Sequence, residues 1–531
     1  MLSIFKIIFR ACRRPGPGMA AAAVTLFFFT GCSVGPDYVR PPTVAPGAYK
    51  ENAGWKLAQP GDELPRGRWW EIYHDPQLNA LEEQLEISNQ NIIQAEANFR
   101  QSLALIRVAR AAYFPTVTGG SSWSRFRNSE NLGSGSRSSS VGNAPGVSGG
   151  SAGGGGFGAF TGSTQSNYLL TGNASWELDI WGKVRRNVES SKASAQASAA
   201  TLEGVRLSAH AAVAQNYFLL RSLDEQKRLL DEVAAAFQKI LTVTKNRYAS
   251  GVASRNDIAL AETQLKNTQA QAIDLGVQRA QLEHAIATLL GKPASVFSIP
   301  KAKVNLSVPP IPPGVPSALL ERRPDIAAAE RNMAAANAQI GVAIAAYYPT
   351  VTLTSSGGFQ ASDVAQWFLW PSRFWSLGAA ATQTIFQGGA LVAQTASARA
   401  AHEAAVASYR QTVLTGFQEV EDNLAALRIL EEEGKVQDEA VKAARLSATL
   451  SFNQYQAGTI STLDLLAVET VARNNERTAI VILGNRMSAS VLLIKALGGG
   501  WKAADLPPVA YQPSEAPLKT QAEKSREEPE R

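Results

Sequence analysis

From Tyr168 onward the chain alternates. Tyr168, Leu170, Gly172, Ala174, Trp176, Leu178 and Ile180 are apolar or glycine, while Thr171, Asn173, Ser175, Glu177 and Asp179 between them are polar. A period of two sends successive side chains to opposite faces, which predicts a strand with one greasy and one wet face. Trp375, Leu377, Ala379, Ala381 and Ile385 alternate likewise against Ser376, Gly378, Ala380, Thr382 and Thr384. Val351, Leu353, Gly357 and Phe359 mark a third strand and Val117 to Phe126 a fourth, giving hairpins over 115–181 and 349–387. The segments run to about ten residues, the length of a tilted transmembrane strand, with Trp176, Trp181, Trp367, Trp370 and Trp375 near their ends, where membrane interfaces favour aromatic rings. Four strands are too few to close a membrane barrel, whose smallest bacterial form has about eight, and an open edge in lipid leaves backbone groups unpaired. Strands that span a membrane therefore require two, three or four copies.

Between the strand regions the period changes. Lys183 to Lys292 and Gly389 to Leu506 contain no proline, which predicts helices of unusual length. Ile258, Ala261, Leu265, Thr268, Ala272, Leu275, Leu282, Ile286 and Leu289 keep a three-four spacing broken at Arg279, and Ile480, Leu483, Met487, Ser490, Ile494 and Leu497 do the same. This is the seam of coiled-coil packing. A continuous helix from Gly182 to Asn246 would be a rod of about 100 Å.

The chain also repeats itself. Ala111 to Thr118 and Ala345 to Thr352 agree at seven of eight positions, 234 residues apart; Asn246 to Thr263 and Asn453 to Thr470 agree at seven of eighteen, 207 residues apart. The second match includes Tyr248/Tyr455, Gly251/Gly458 and Asp257/Asp464. The difference in offset falls before the long helices and corresponds to the insertion Asn131 to Gln165, in which Gly and Ser are 20 of 35 residues. Such a stretch builds no packed core and reads as a solvated flexible loop.

Composition changes the picture mainly at the N-terminus. Charged residues are 18% of the 531, and the formal charge of +6 points to a polyanionic partner only until the charges are located. Lys6, Arg10, Arg13 and Arg14 precede the apolar run Met19 to Phe29 and then Thr30, Gly31 and Cys32, the layout of an export signal too short to span a bilayer. Removing those four cations from +6 leaves +2, which predicts no nucleic-acid partner. Of the two cysteines, Cys12 lies in the removed segment and Cys32 becomes the first mature residue, so no internal disulfide forms. The sequence before Cys32 resembles the bacterial lipoprotein box, which implies a covalent N-terminal lipid, palmitate included, on Cys32. Ser33 in the next position implies sorting to the outer membrane.

Cys32 with Gly35, Pro36, Asp37, Tyr38 and Pro41, then Trp69, Trp70 and Asp75 to Leu81, resembles the outer membrane factor lipoproteins of bacterial efflux systems, the NodT and OprM-like branch of the TolC superfamily. The resemblance covers nearly the whole chain. It implies a mixed membrane β-barrel and long α-helical barrel: a homotrimer with twelve strands in the outer membrane, a periplasmic helical tunnel, and an equatorial α/β collar. It further implies a passive exit duct of a tripartite pump, with a periplasmic adaptor and an inner-membrane RND-type pump as partners. By the same resemblance Tyr248, Gly251, Tyr455 and Gly458 stand at adaptor-contacting tips, while Leu463, Asp464 and Asp257 line the periplasmic constriction. Ile460 and Ala467 stand where relatives place a gating arginine and a second aspartate. Asp257 and Asp464 read equally as helix N-caps after a turn.

The expected organisation is an export signal over 1–31 and a lipid-anchored N-terminal and collar segment over 32–75. A first repeat over 76–295 has its tip at 246–257; a proline-rich linker and collar fill 296–321. A second repeat over 322–499 has its tip at 453–464, and a C-terminal segment over 500–531 is partly disordered. His74, His210, His284 and His402 are scattered without ligand spacing, so no metal is expected and each histidine reads as structural or exposed. No GxxxxGK[ST] nucleotide loop is present, and no catalytic constellation stands above chance. Two other readings stay open, a duct for type I protein secretion and a coiled-coil surface lipoprotein acting as adhesin or scaffold. The rods and the lipid would suit the second, but the paired alternating strands would not.

Overall fold

The alternating segments do form strands. In the computed structural model, which describes residues 33–42, 46, 48–51, 68–127, 164–302, 307–309, 311 and 319–506, they are β1 (Thr116–Arg127), β2 (Thr164–Leu178), β3 (Thr350–Ala361) and β4 (Arg373–Thr382). The export signal, Cys32, the insertion up to residue 163 and the tail from Pro517 lie outside the described residues.

The four strands make one antiparallel sheet in the order β1-β2-β3-β4. Its register aligns the alternation across every strand. Val117 opposes Ala174, which opposes Ser355 and then Leu377; Trp176 opposes Leu353, which opposes Ala379. On the other face Thr118, Asn173, Ser356 and Ser376 line up, and the last two share a hydroxyl hydrogen bond of 2.7 Å. A slip of one residue anywhere would turn a strand inside out, so the pattern itself fixes the pairing. Rings gather at both ends of the sheet: Trp123, Tyr168, Trp367 and Phe368 at one, Trp181 stacked on Tyr348 at 4.8 Å at the other. β4 stops at Thr382, short of the expected Ile385. The Gln383 amide donates to the Tyr347 carbonyl, and Gly388 and Gly389 then turn the chain at positive φ, leaving Ile385 and Phe386 exposed.

The helices are α1 (Pro76–Ser88), α2 (Gln90–Ala111), α3 (Lys183–Ala249), α4 (Arg255–Leu289), α5 (Leu319–Arg322), α6 (Pro324–Ala345), α7 (Ala390–Ala457) and α8 (Thr462–Ala496). α3 and α7 run 67 and 68 residues without a break, as the missing prolines predict. Two compact units divide the chain. One holds the sheet with the adjoining ends of α2, α3, α6 and α7; the other holds 41–103, 195–331 and 407–531.

In the second unit Asp75 caps α1. Its carboxylate accepts the Gln77 and Leu78 amides and the Tyr217 hydroxyl, and Pro76 supplies the preset first turn. Around this cap Trp69, Leu78, Leu85, Tyr217, Phe218 and Ile494 form the main core. The predicted seam is buried at Ala261, Leu265, Thr268, Ala272, Leu275 and Ile286 on α4, and at Met487, Ser490 and Ile494 on α8. α8 is long and apolar enough to cross a membrane by length and composition alone, but half of its most apolar window is buried against protein. The break at Arg279 has a reason. Its guanidinium pairs with the buried Asp224 at 2.7 Å and with Glu283 at 2.9 Å, and donates to the Ile299 carbonyl. The expected α/β collar falls largely outside the described residues. Among the described residues of 296–321 and 500–506 there is no strand, only short helical turns and backbone without regular structure.

Gly358 lies where β2 and β3 join, and a Cβ there would come within 1.9 Å of the Leu170 carbonyl oxygen; a Cβ at Gly120 would meet nothing within 4 Å. Gly358→Ala is expected to destabilise the sheet by about 1–3 kcal/mol and Gly120→Ala to leave it nearly unchanged, a contrast read by thermal loss of β circular dichroism.

Candidate functional site

The two repeated turns close the helical hairpins at residues 250–254 and 458–461. Gly251 and Gly458 take φ of +76° and +81°, the left-handed geometry each sharp turn demands. Beyond them Ser254 and Ser461 cap α4 and α8, the same serine in both repeats. Asp257 and Asp464 are therefore not the N-caps themselves. They sit three residues in, each carboxylate accepting a hydrogen bond from the cap amide at 2.8 Å and 3.3 Å, so each tip carries a capping box. The main-chain N–H of Ser254, reinforced by the Ser254 hydroxyl, holds the Asp257 carboxyl below its usual range. Asp464 remains exposed, and Leu463 beside it is 59% exposed, an apolar side chain in the first turn of α8.

The tips are not equivalent at their tyrosines. Tyr248 is 46% exposed, but Tyr455 is buried at 1%. Placed by resemblance among adaptor-contacting residues, Tyr455 has no free ring surface to offer. Its hydroxyl shares hydrogen bonds with the hydroxyls of Thr244 at 2.8 Å and Thr462 at 3.4 Å. Arg247 of α3 lies 4.7 Å above its ring and donates Nη1 to its carbonyl at 2.8 Å. Phe237, Ile240, Leu241, Leu465 and Leu466 pack around it. The end of the first hairpin thus grips the end of the second through a cation–π contact, a hydrogen bond and an apolar core. Tyr455 and Tyr248 match in the repeat, which conceals this difference; the signal was Arg247, aligned with Gln454 of the second copy.

One histidine is also more than scattered. His210 of α3 lies between Glu82 and Glu86 of α1, with Nδ1 2.8 Å from Glu82 Oε2 and Nε2 3.1 Å from Glu86 Oε2, and it stacks on Trp70 at 4.4 Å. Glu82 and Glu86 are one helical turn apart, so they share a face. Desolvation pushes the fully buried Glu82 up to about 7, and its Oε1 has no hydrogen-bond partner. Burial works against charge on the His210 ring, yet the two carboxylates outweigh it and raise its pKa. Glu86 is lowered, first by its hydrogen bond from His210. Among the described residues no cluster fits a metal ion.

The chain matches the outer membrane efflux protein family over residues 81–292 and 315–499, so the family pattern breaks near the proline-rich linker. It is 28% identical to the toluene efflux pump outer membrane protein TtgC of Pseudomonas putida across 91% of this chain and 96% of that one. To the pyoverdine export outer membrane protein OpmQ of Pseudomonas putida it is 31% identical, across 85% and 92%. Among solved structures, the outer-membrane channel OprN superposes with a TM-score of 0.78 at 28% identity, over 88% of this chain and all of that one.

His210 and Glu82 bind protons more tightly folded than unfolded. Their contribution to stability therefore grows as pH falls from about 8 to about 5.5, and the lowered Glu86 opposes it only nearer pH 4.5 and below. Thermal unfolding should occur several degrees lower at pH 8.5 than at pH 5.5. Glu82→Gln, which keeps the shape and removes the titration, should flatten much of that slope.

Proposed function

The chain belongs to the outer membrane efflux protein family, and from that premise we propose that it is the outer membrane exit duct of a tripartite efflux pump, working as a homotrimer. The observation that carries this reading is the sheet. It has one largely apolar face and, among the described residues, four strands, so β1 and β4 each have a single neighbour there. Backbone groups along those edges need partners in hydrocarbon, and three copies supply them in a twelve-stranded barrel. Exposed Leu414, Ile429, Val436, Leu446 and Leu450 on α7 fit helices that pack against other copies. In this reading Cys32 carries the N-terminal lipid, and the tips meet a periplasmic adaptor that links the duct to an inner-membrane RND-type pump. Tyr248, Gly251 and Gly458 form the docking turns, while Tyr455 supports them from within.

Solutes diffuse through the duct and no bond is made or broken in it. The names of its relatives, which refer to toluene and pyoverdine, favour small molecules over secreted polypeptides as cargo. The constriction is a ring of Leu463 above a ring of Asp464, with Asp257 at the neighbouring tip; three carboxylates at close range favour cations and repel one another. Opening separates the two hairpin ends, so the Arg247–Tyr455 clasp holds the closed state. It takes the place of the charge lock that Ile460 and Ala467 do not supply.

Purified protein should migrate as a heat-modifiable trimer and conduct ions in planar bilayers; a monodisperse monomer without conductance would sink the reading. Arg247→Ala removes a cation–π contact and a hydrogen bond, together about 1–2 kcal/mol, and should raise the open fraction of single channels by roughly tenfold. Unchanged opening would separate the clasp from the gate.

A further inference from the structure

The unit that contains the sheet also contains the first described residues of the chain, and they are not a loose tether. Ser33 to Asp37 cross between α3 of the first repeat and α6 of the second. The Val34 amide donates to the Trp181 carbonyl at 3.1 Å, and Asn337 of α6 donates its side-chain amide to the Pro36 carbonyl at 3.1 Å. Three glycines allow the approach. A Cβ on Gly182 would lie 2.9 Å from Ser33 Cα, one on Gly35 2.5 Å from Gly341 Cα, and one on Gly341 2.8 Å from Arg186 Cγ.

Arg186 is the hub. Its side chain is 6% exposed; Nε donates to the Val34 carbonyl at 3.3 Å, and Nη2 donates to the Gly35 carbonyl at 3.3 Å and to Asp37 at 2.9 Å. Nη1 donates to Glu189 on its own helix at 2.9 Å. A buried guanidinium is tolerated only when its donors are used, and most of these acceptors belong to the crossing segment. The second repeat has no equivalent. Ala393 stands at the repeat position of Arg186, and among the described residues nothing lies within 4 Å of a Cβ on Gly389, the counterpart of Gly182.

We infer that Arg186 is a positioning residue that fastens Ser33–Asp37 as a strap across the two repeats, so that the lipid-bearing end and the base of the sheet assemble as one body. The inference rests on the reading of Cys32 as the lipid attachment point. Ser33 follows it by one peptide unit, and Trp181, whose carbonyl holds Val34, donates its indole N–H to the Pro349 carbonyl at 2.8 Å and stacks on Tyr348. A lipid attached there is held beside the aromatic end of the sheet, where rings favour the membrane interface. The lipid and the sheet are then at matched depth before any second copy arrives.

The test uses the full chain expressed in a Gram-negative host, with palmitate labelling and the yield of heat-modifiable trimer as readouts. Arg186→Gln should label normally yet give roughly fivefold less trimer or worse, a loss of the size that one unmet buried contact causes. Gly35→Ala, which leaves Arg186 intact and obstructs the strap from the other side, should match it. Glu189→Gln, which removes only the partner on the same helix, should assemble as the unsubstituted protein does. Normal trimer from Arg186→Gln, or a Glu189→Gln defect equal to that of Arg186→Gln, would overturn the strap. Absence of palmitate from the unsubstituted protein would instead overturn the lipid reading beneath it.

Discussion

A strand in hydrocarbon must pair every N–H and C=O it carries, because no water is present to accept the remainder. β2 and β3 meet that demand inside one chain, and β1 and β4 meet half of it. In the proposed duct, assembly and the position of the pore would both descend from those two edges. The proposed trimer is one consequence. Another is that in the proposed barrel one face of the sheet would meet lipid, and the register supports this by opposing apolar residues mostly to apolar or small ones, with Arg373 opposite Phe359 the charged exception.

Duplication makes such a chain easy to build, but it also imposes a symmetry that function must break. The sheet keeps the symmetry, with one hairpin from each repeat in the same orientation. The two ends of the helices lose it. At one end Arg186 has no counterpart and the strap crosses only one of two similar notches. At the other, Arg247 of the first tip reaches the Tyr455 of the second while Tyr248 remains exposed. Both differences are single arginines placed where the repeats meet.

Periodic features were legible in the sequence because burial acts on every second or every third and fourth residue, and so writes itself along the chain. The four strands, the seam over Ile258 to Leu289 and the two glycine turns were found that way. Features made by contact between distant segments leave no period. His210 gave no ligand spacing, since its partners Glu82 and Glu86 are more than 120 residues away, and their one-turn separation on α1 carries meaning only once α3 is beside it. Arg279 was visible as a fault in the seam, but its cause, Asp224, was not. Asp257 and Asp464, read as N-caps, lie three residues inside their helices as the N3 members of capping boxes. The paired serines before them, identical in the repeat, were the better sign of a cap.

The capping boxes bear on how a carboxylate can serve two purposes. In a pore, a ring of like charges pushes its members apart, and a flexible side chain would swing away from the axis. In the proposed ring Asp464 would be kept from doing so, because its carboxylate accepts the Ser461 hydroxyl at 2.7 Å and is held over the first turn of α8. The same bond that stabilises the helix end fixes the charge in space, and in the proposed trimer the positive end of the helix dipole would partly offset the cost of crowding three such groups. In the proposed duct, capping and pore lining would be one arrangement with two effects. The clasp beside it complements this, because Tyr455 is buried and its hydrogen bonds to Thr244 and Thr462 join neutral groups. In the proposed gate these neutral hydrogen bonds would be little affected by salt, whereas the contact of the Arg247 cation with the Tyr455 ring would be partly screened.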